Sequence, residues 1–214
     1  MADVIEKEST MKTTLVDGGQ AALNFLNDLQ HAVSAAEFTA RDGTALALPA
    51  GLQQALDVMR SSHAAGGKVL IVGNGGSAAI ASHMATDLWK CGGIDAMAFN
   101  DASLLTCIGN DFGYENLFSE PLRRFARRGD VVVTISSSGR SPNILNGART
   151  ARELGCHVIT LSAFDADNPL RSLGDINFWV PSHYYGHAEV AHLALLHSLL
   201  DAHNGYDGSR VKRS

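Results

Sequence analysis

The chain has 214 residues, 45% of them apolar and 18% charged, with a formal net charge of −5. This composition supports a large core and excludes disorder over most of the length, and no apolar run reaches the roughly 18–20 residues that a membrane span needs. The only dense basic cluster is Arg123, Arg124, Arg127 and Arg128, too small for the broad stripe of a protein that contacts nucleic acid directly.

Residues 1–19 lack periodicity and read as a flexible arm. Residues 1–15 are acidic and carry no apolar stretch, so they are no signal peptide, and the cytoplasm is the expected compartment. Residues 20–38 place Ala22, Leu26, Leu29 and Val33 at helical spacing and predict an amphipathic helix. A loop with Arg41-Asp42-Gly43 and Pro49 follows, then a second helix over 50–65 that stops at Gly66-Gly67.

Strand and helix then alternate. Strands are expected at 68–72, 96–99, 131–135, 157–161 and 176–180, with helices over 78–88, from about Ser103, up to Leu154, and over 188–202. The pattern predicts an α/β fold: a doubly wound, mostly parallel five-stranded sheet flanked by helices, with an N-terminal helical extension. One domain would span 20–203, followed by a polar tail over 204–214. Three isolated cysteines, Cys91, Cys107 and Cys156, form no CxxC pair and read as reduced, mostly buried small apolar residues.

Ligands of open α/β sheets bind beyond the carboxyl ends of the strands. Two loops there have anion-binding chemistry. In Gly73-Asn74-Gly75-Gly76-Ser77 the glycines admit close approach to backbone N–H groups, and the following helix adds its positive end; Ser77 could equally be a plain helix cap. In Ser136-Ser137-Ser138-Gly139-Arg140-Ser141-Pro142, four hydroxyls exceed what one cap needs and suit the acceptor oxygens of a phosphoryl group. Neither loop carries the GxxxxGK[ST] lysine, and the first matches GxGxxG poorly, which speaks against nucleotides.

These two loops, with Asn143 after the second, resemble the signature loops of sugar-isomerase (SIS) domains, and more closely those of phosphoheptose isomerases. Asn110-Asp111-Phe112-Gly113-Tyr114-Glu115 and Gly129-Asp130-Val131 support the likeness, which covers residues 20–202. It implies a tetrameric aldose–ketose isomerase acting on sedoheptulose 7-phosphate through an enediol. It implies phosphate held by Ser77, Ser136, Ser137, Ser138 and Ser141 with Gly75 and Gly76, and sugar hydroxyls held by Asn74 and Asp101.

Two helices carry further chemistry. His83 and Asp87 lie four apart and share a face. On the last helix Glu189 and His192 are ~60° apart, and Glu189 and His197 ~80° apart. Such a set is either structural hydrogen bonding or a divalent-metal site, most naturally zinc. The resemblance implies zinc at His83, Asp87, Glu189 and His197, with Asp87 and His197 also the acid/base pair and Glu189 touching substrate; His192 matches a further family histidine. The chain departs from the family in Asp87 for Glu, Glu189 for Gln, Gly186 for an acidic residue, and Arg140 for a neutral Asn. Two alternatives stay open at this level: a non-catalytic SIS protein of the replication-initiator-associating type, and an isomerase for another sugar phosphate.

Overall fold

The computed structural model describes residues 17–208. The expected arm lies outside the described residues except for 17–19, and the expected tail except for 204–208. Helix α1 (Gly18–Ser34) begins at Asp17, whose side chain accepts a hydrogen bond from the Gly19 N–H. It ends at Ser34, short of the boundary at Phe38 that the spacing predicts. Instead β1 (Glu37–Ala40) and β2 (Ala45–Leu46) form a hairpin, and β1 joins the sheet.

The hairpin corrects the expected strand count from five to seven. Its turn is Asp42-Gly43, with Gly43 at φ 84°, a left-handed conformation that costs glycine no Cβ strain. Phe38 drives the rearrangement: it is buried, its ring lies 4.3 Å from that of Phe178, and α2 (Leu48–Ala64) crosses it at Gly51. A Cβ on Gly51 would stand 2.4 Å from the Phe38 ring, so only glycine allows this approach.

The remaining strands are β3 (Val69–Gly73), β4 (Ala96–Ala98), β5 (Val131–Ser136), β6 (His157–Ser162) and β7 (Ile176–Trp179). Sheet order is β2-β1-β7-β6-β5-β3-β4, parallel from β7 to β4 and antiparallel only at the hairpin edge. Helices α3 (Gly76–Cys91), α4 (Ala102–Asp111), α5 (Ser119–Phe125), α6 (Pro142–Glu153) and α7 (Tyr185–His203) complete the fold.

Successive strand residues point to opposite faces, and both faces are covered. Val69, Ile71, Val131, Val133 and Ile135 meet α2, α3 and α7 in one core. Leu70, Val72, Val132 and Val158 meet α5 and α6 in the other. That double burial explains the unbroken apolar run at residues 131–133. Two of the three cysteines, Cys91 and Cys107, are exposed, which corrects the expectation of burial; only Cys156 is buried, and burial pushes its thiol up to about 11. No helix among the described residues is long and apolar enough to cross a membrane.

Candidate active site

Strand order reverses between β3 and β5: the chain goes outward from β3 to β4, then crosses to β5 and continues the other way. Beyond the carboxyl ends of these two neighbours a crevice opens. The glycine loop leaves β3 there and the serine loop leaves β5, and they meet at one cavity of about 210 Å³. Asn74, Gly75, Gly76, Ser77, Ser136, Ser137, Ser138 and Ser141 line it, together with Tyr185 and Glu189 from α7.

The hydroxyls are not spent on capping. Gly75, at φ 54°, is the N-cap of α3 and offers no side chain, while Ser77 lies inside the helix and is buried. Ser141 is the N-cap of α6, yet makes no capping bond; its Oγ receives a hydrogen bond from Ser136 Oγ at 3.3 Å. Two helix N-termini thus approach the cavity without a side-chain cap, leaving orphan N–H groups and positive dipole ends.

Neighbouring residues brace the loops. Asn74 and Asn143 exchange reciprocal amide hydrogen bonds of 2.9 and 2.8 Å, tying the two loops together. Gly139, at φ 61°, turns against Asn168, whose Oδ1 would stand 2.0 Å from any Cβ there. Asn168 is buried and donates to the Asp165 carbonyl and the Ser162 hydroxyl. Asn143 sits in the quoted motif but was assigned no role. Asn168 gives no signal in sequence, because the residue it braces, Gly139, belongs to a separate loop.

Three residues take positions apart from the cavity lining or from the histidine group. Asp101 lines neither this cavity nor its neighbour; it is the N-cap of α4, accepting from the Ser103 and Leu104 N–H groups and the Ser103 hydroxyl. Those bonds, the Ser103 hydroxyl first, hold its carboxyl below the usual carboxylate range. Arg140 does not line the cavity and stands exposed to solvent. Its guanidinium lies 3.0 Å from Asp167 and 3.5 Å from Asp165.

Glu189 is the third. His83, Asp87 and His197 come together, with one ligand atom from each lying within 4.8 Å of the others, and Glu189 does not belong to that group. Its carboxylate instead rests on Gly76 at the start of α3, where a Cβ would meet Glu189 Cδ at 2.3 Å.

His83 Nε2 lies 3.1 Å from His197 Nε2 and 3.4 Å from Asp87 Oδ2. Bonds of 2.0–2.1 Å to a tetrahedral zinc put ligand atoms ~3.3 Å apart. The donor set and the two distances from His83 therefore fit a divalent metal such as zinc. Asp87, although one methylene shorter than Glu, still reaches the group. His192 stands apart, fully buried, its Nε2 donating to the Ser162 carbonyl at 3.0 Å.

A glycine loop and a serine loop meeting at the switch point of a doubly wound sheet define a SIS domain, and the family model described as "SIS domain" matches residues 43–163. The phosphoheptose isomerase of Helicobacter hepaticus is 41% identical over 160 residues, covering 72% of this chain and 81% of the relative. The phosphoheptose isomerase structure from Neisseria gonorrhoeae has a TM-score of 0.75 at 31% identity, covering 86% of this chain and 98% of that one. The one from Francisella tularensis has a TM-score of 0.77 at 26% identity, covering 89% and 100%. The chain belongs to the SIS-domain family and, within it, to the phosphoheptose isomerases.

Proposed function

We propose that this chain is an aldose–ketose isomerase that converts sedoheptulose 7-phosphate to D-glycero-D-manno-heptose 7-phosphate. The observation that carries the reading is the pairing of the serine-lined cavity with the His83/Asp87/His197 group, on a chain related to enzymes of that name. The separation suits a long linear substrate. His83 follows Ser77 by six residues, so the group lies ~9 Å along α3 from the cavity. Eight bonds separate phosphorus from C1 in an extended heptose 7-phosphate, and at about 1.25 Å of advance per bond they span ~10 Å.

Phosphate at the serine loop thus leaves C1 and C2 beside the histidines. Ser77, Ser136, Ser137, Ser138 and Ser141 donate to the phosphate oxygens, with the N–H groups around Gly75 and Gly76. Asn74 takes a sugar hydroxyl; the Oδ1 of Asp101 is committed to its cap, so only Oδ2 would meet one. Asp87 and His197 form the acid/base pair. A proton leaves C1 of the open-chain ketose, the electron pair forms the enediol, and the proton returns at C2 while the hydroxyl proton passes from O1 to O2. His83, Asp87 and His197 would hold zinc, which supplies charge stabilisation to a developing enediolate oxygen.

Incubating purified protein with sedoheptulose 7-phosphate, with and without added zinc, tests the reading through appearance of the aldose. Absence of turnover in both conditions would favour the non-catalytic binder. That alternative requires no acid/base pair, and the retained histidines and Asp87 count against it.

One hydrogen bond to a charged group is worth about 1.5–3 kcal/mol, or about 10- to 100-fold. Ser137→Ala and Ser138→Ala should each raise KM for the heptose phosphate by about that factor, with kcat changed less. An unaltered KM in both would remove the phosphate assignment.

The proposed assembly is a homotetramer in the cytoplasm, built as a dimer of dimers. Most α7 leucines do not serve it: Leu195, Leu196, Leu199 and Leu200 are consumed by the chain's own core. Exposed apolar side chains include Leu23, Phe25 and Leu26 on α1 and Tyr184, Tyr185 and Val190 at the start of α7. Light scattering at micromolar concentration should give four chains, and a monomer would contradict the assembly.

A further inference from the structure

The cavity assigned to phosphate has an unusual charge. Its lining consists of glycines, serines, Asn74, Ile135, Tyr185 and Glu189, so the one formal charge facing it is negative. The nearest candidate for a balancing cation, Arg140 in the serine loop itself, is held between Asp165 and Asp167. Glu189 is also not a bystander at the rim. Its carboxylate lies against Gly76, in the first turn of α3, where the uncapped N–H groups and the dipole favour an anion. Gly76 has no Cβ, and that space is what admits the carboxylate.

We propose that Glu189 is the specificity-determining residue of the cavity: it holds the anion position at the start of α3 in competition with phosphate and yields it only to a phosphate that carries a chain of hydroxyls. The proposal rests on the reading of the serine cavity as the phosphate site. A carboxylate accepts hydrogen bonds and donates none. Moved off Gly76, it repels a phosphate dianion that brings nothing else. A polyol phosphate presents several hydroxyl donors next to the same carboxylate, and charge-assisted bonds to Glu189 then offset the cost of displacing it. Discrimination arises from a repulsive element against the wrong ligand as much as from contacts to the right one. A glutamine at this position would occupy the same volume, lose the repulsion, and remove the distinction.

Calorimetric titration with two probes tests this: inorganic phosphate, and sorbitol 6-phosphate, an acyclic polyol phosphate with no carbonyl to isomerise. Glu189→Gln should bind inorganic phosphate at least tenfold more tightly than wild type. Its affinity for sorbitol 6-phosphate should be unchanged within about twofold or weaker, so selectivity falls at least fivefold. Equal tightening of both ligands, or no change in either, would overturn the proposal. Ser137→Ala serves as the separate arm. If it weakens both probes while Glu189→Gln alters neither, the phosphate site stands and the role of Glu189 falls. If Ser137→Ala leaves both probes untouched, the assignment of the cavity fails, and this proposal fails with it.

Discussion

His197→Ala is expected to lower zinc affinity at least a hundredfold and kcat for the heptose phosphate by about 10²–10⁴-fold, the range that general acid–base groups contribute. The two Nε2 atoms of His83 and His197 face each other at 3.1 Å. Only two arrangements make that contact favourable: one ring donates its N–H to the bare nitrogen of the other, or both nitrogens share a cation. In the proposed site the second arrangement would apply, and the Asp87 carboxylate, 3.4 Å from His83, would supply the balancing negative charge. Removing either imidazole leaves two ligands, too few for a tight site. His83→Ala should therefore match His197→Ala in zinc affinity, while kcat separates them further, because only His197 is assigned to proton transfer. Chelator-treated protein titrated with zinc gives the first readout, and steady-state kinetics on zinc-loaded protein the second. Equal zinc affinity in wild type and both variants would rule out the site.

The second large effect is on stability and comes from His192, which lies on the same helix but serves the fold. It is fully buried, and burial pushes its imidazole down to about 4 despite the hydrogen bond to the Ser162 carbonyl. The folded ring is neutral at pH 5–7, whereas an unfolded histidine takes up a proton near 6.5. Between those values the unfolded state binds the extra proton, so stability is full above pH 6.5 and is lost as pH falls toward 4. A shift from 6.5 to about 4 corresponds to about 3 kcal/mol. Urea unfolding at pH 7.5, 6 and 5 should follow that decline. His192→Gln keeps a donor for Ser162 but does not titrate, and it should remove most of the slope in this interval. An unchanged slope would assign the acid sensitivity to other groups.

Both histidine roles were within reach of sequence spacing only as a set. Glu189, His192 and His197 occupy one broad arc of α7, and helical geometry alone cannot tell which faces a ligand and which faces the sheet. The distinction comes from what each meets. His192 lands on the carbonyl end of β6, whereas His197 lands on α3 opposite His83. Arg140 illustrates the same limit. Its position in a phosphate-type loop does not say what it pairs with, and the crossover after β6 brings two exposed aspartates to it at the surface.

What the sequence determined by itself is what depends on local order. Apolar runs ending in glycine or serine loops, alternating with helical spacing, specify strands buried on both faces and the loops at their carboxyl ends, because periodicity and turn chemistry act within a few residues. The two signature loops and the His83/Asp87 pair were legible for that reason. Tertiary structure decided where different segments compete for one partner. Residues 37–40 left the expected helix because Phe38 gains more from packing between Phe178 and α2 than another helical turn provides. Glu189 came to rest on Gly76 and not beside His197 because an uncapped helix start offers a carboxylate a favourable position, and only the folded sheet brings α3 and α7 close enough to provide it.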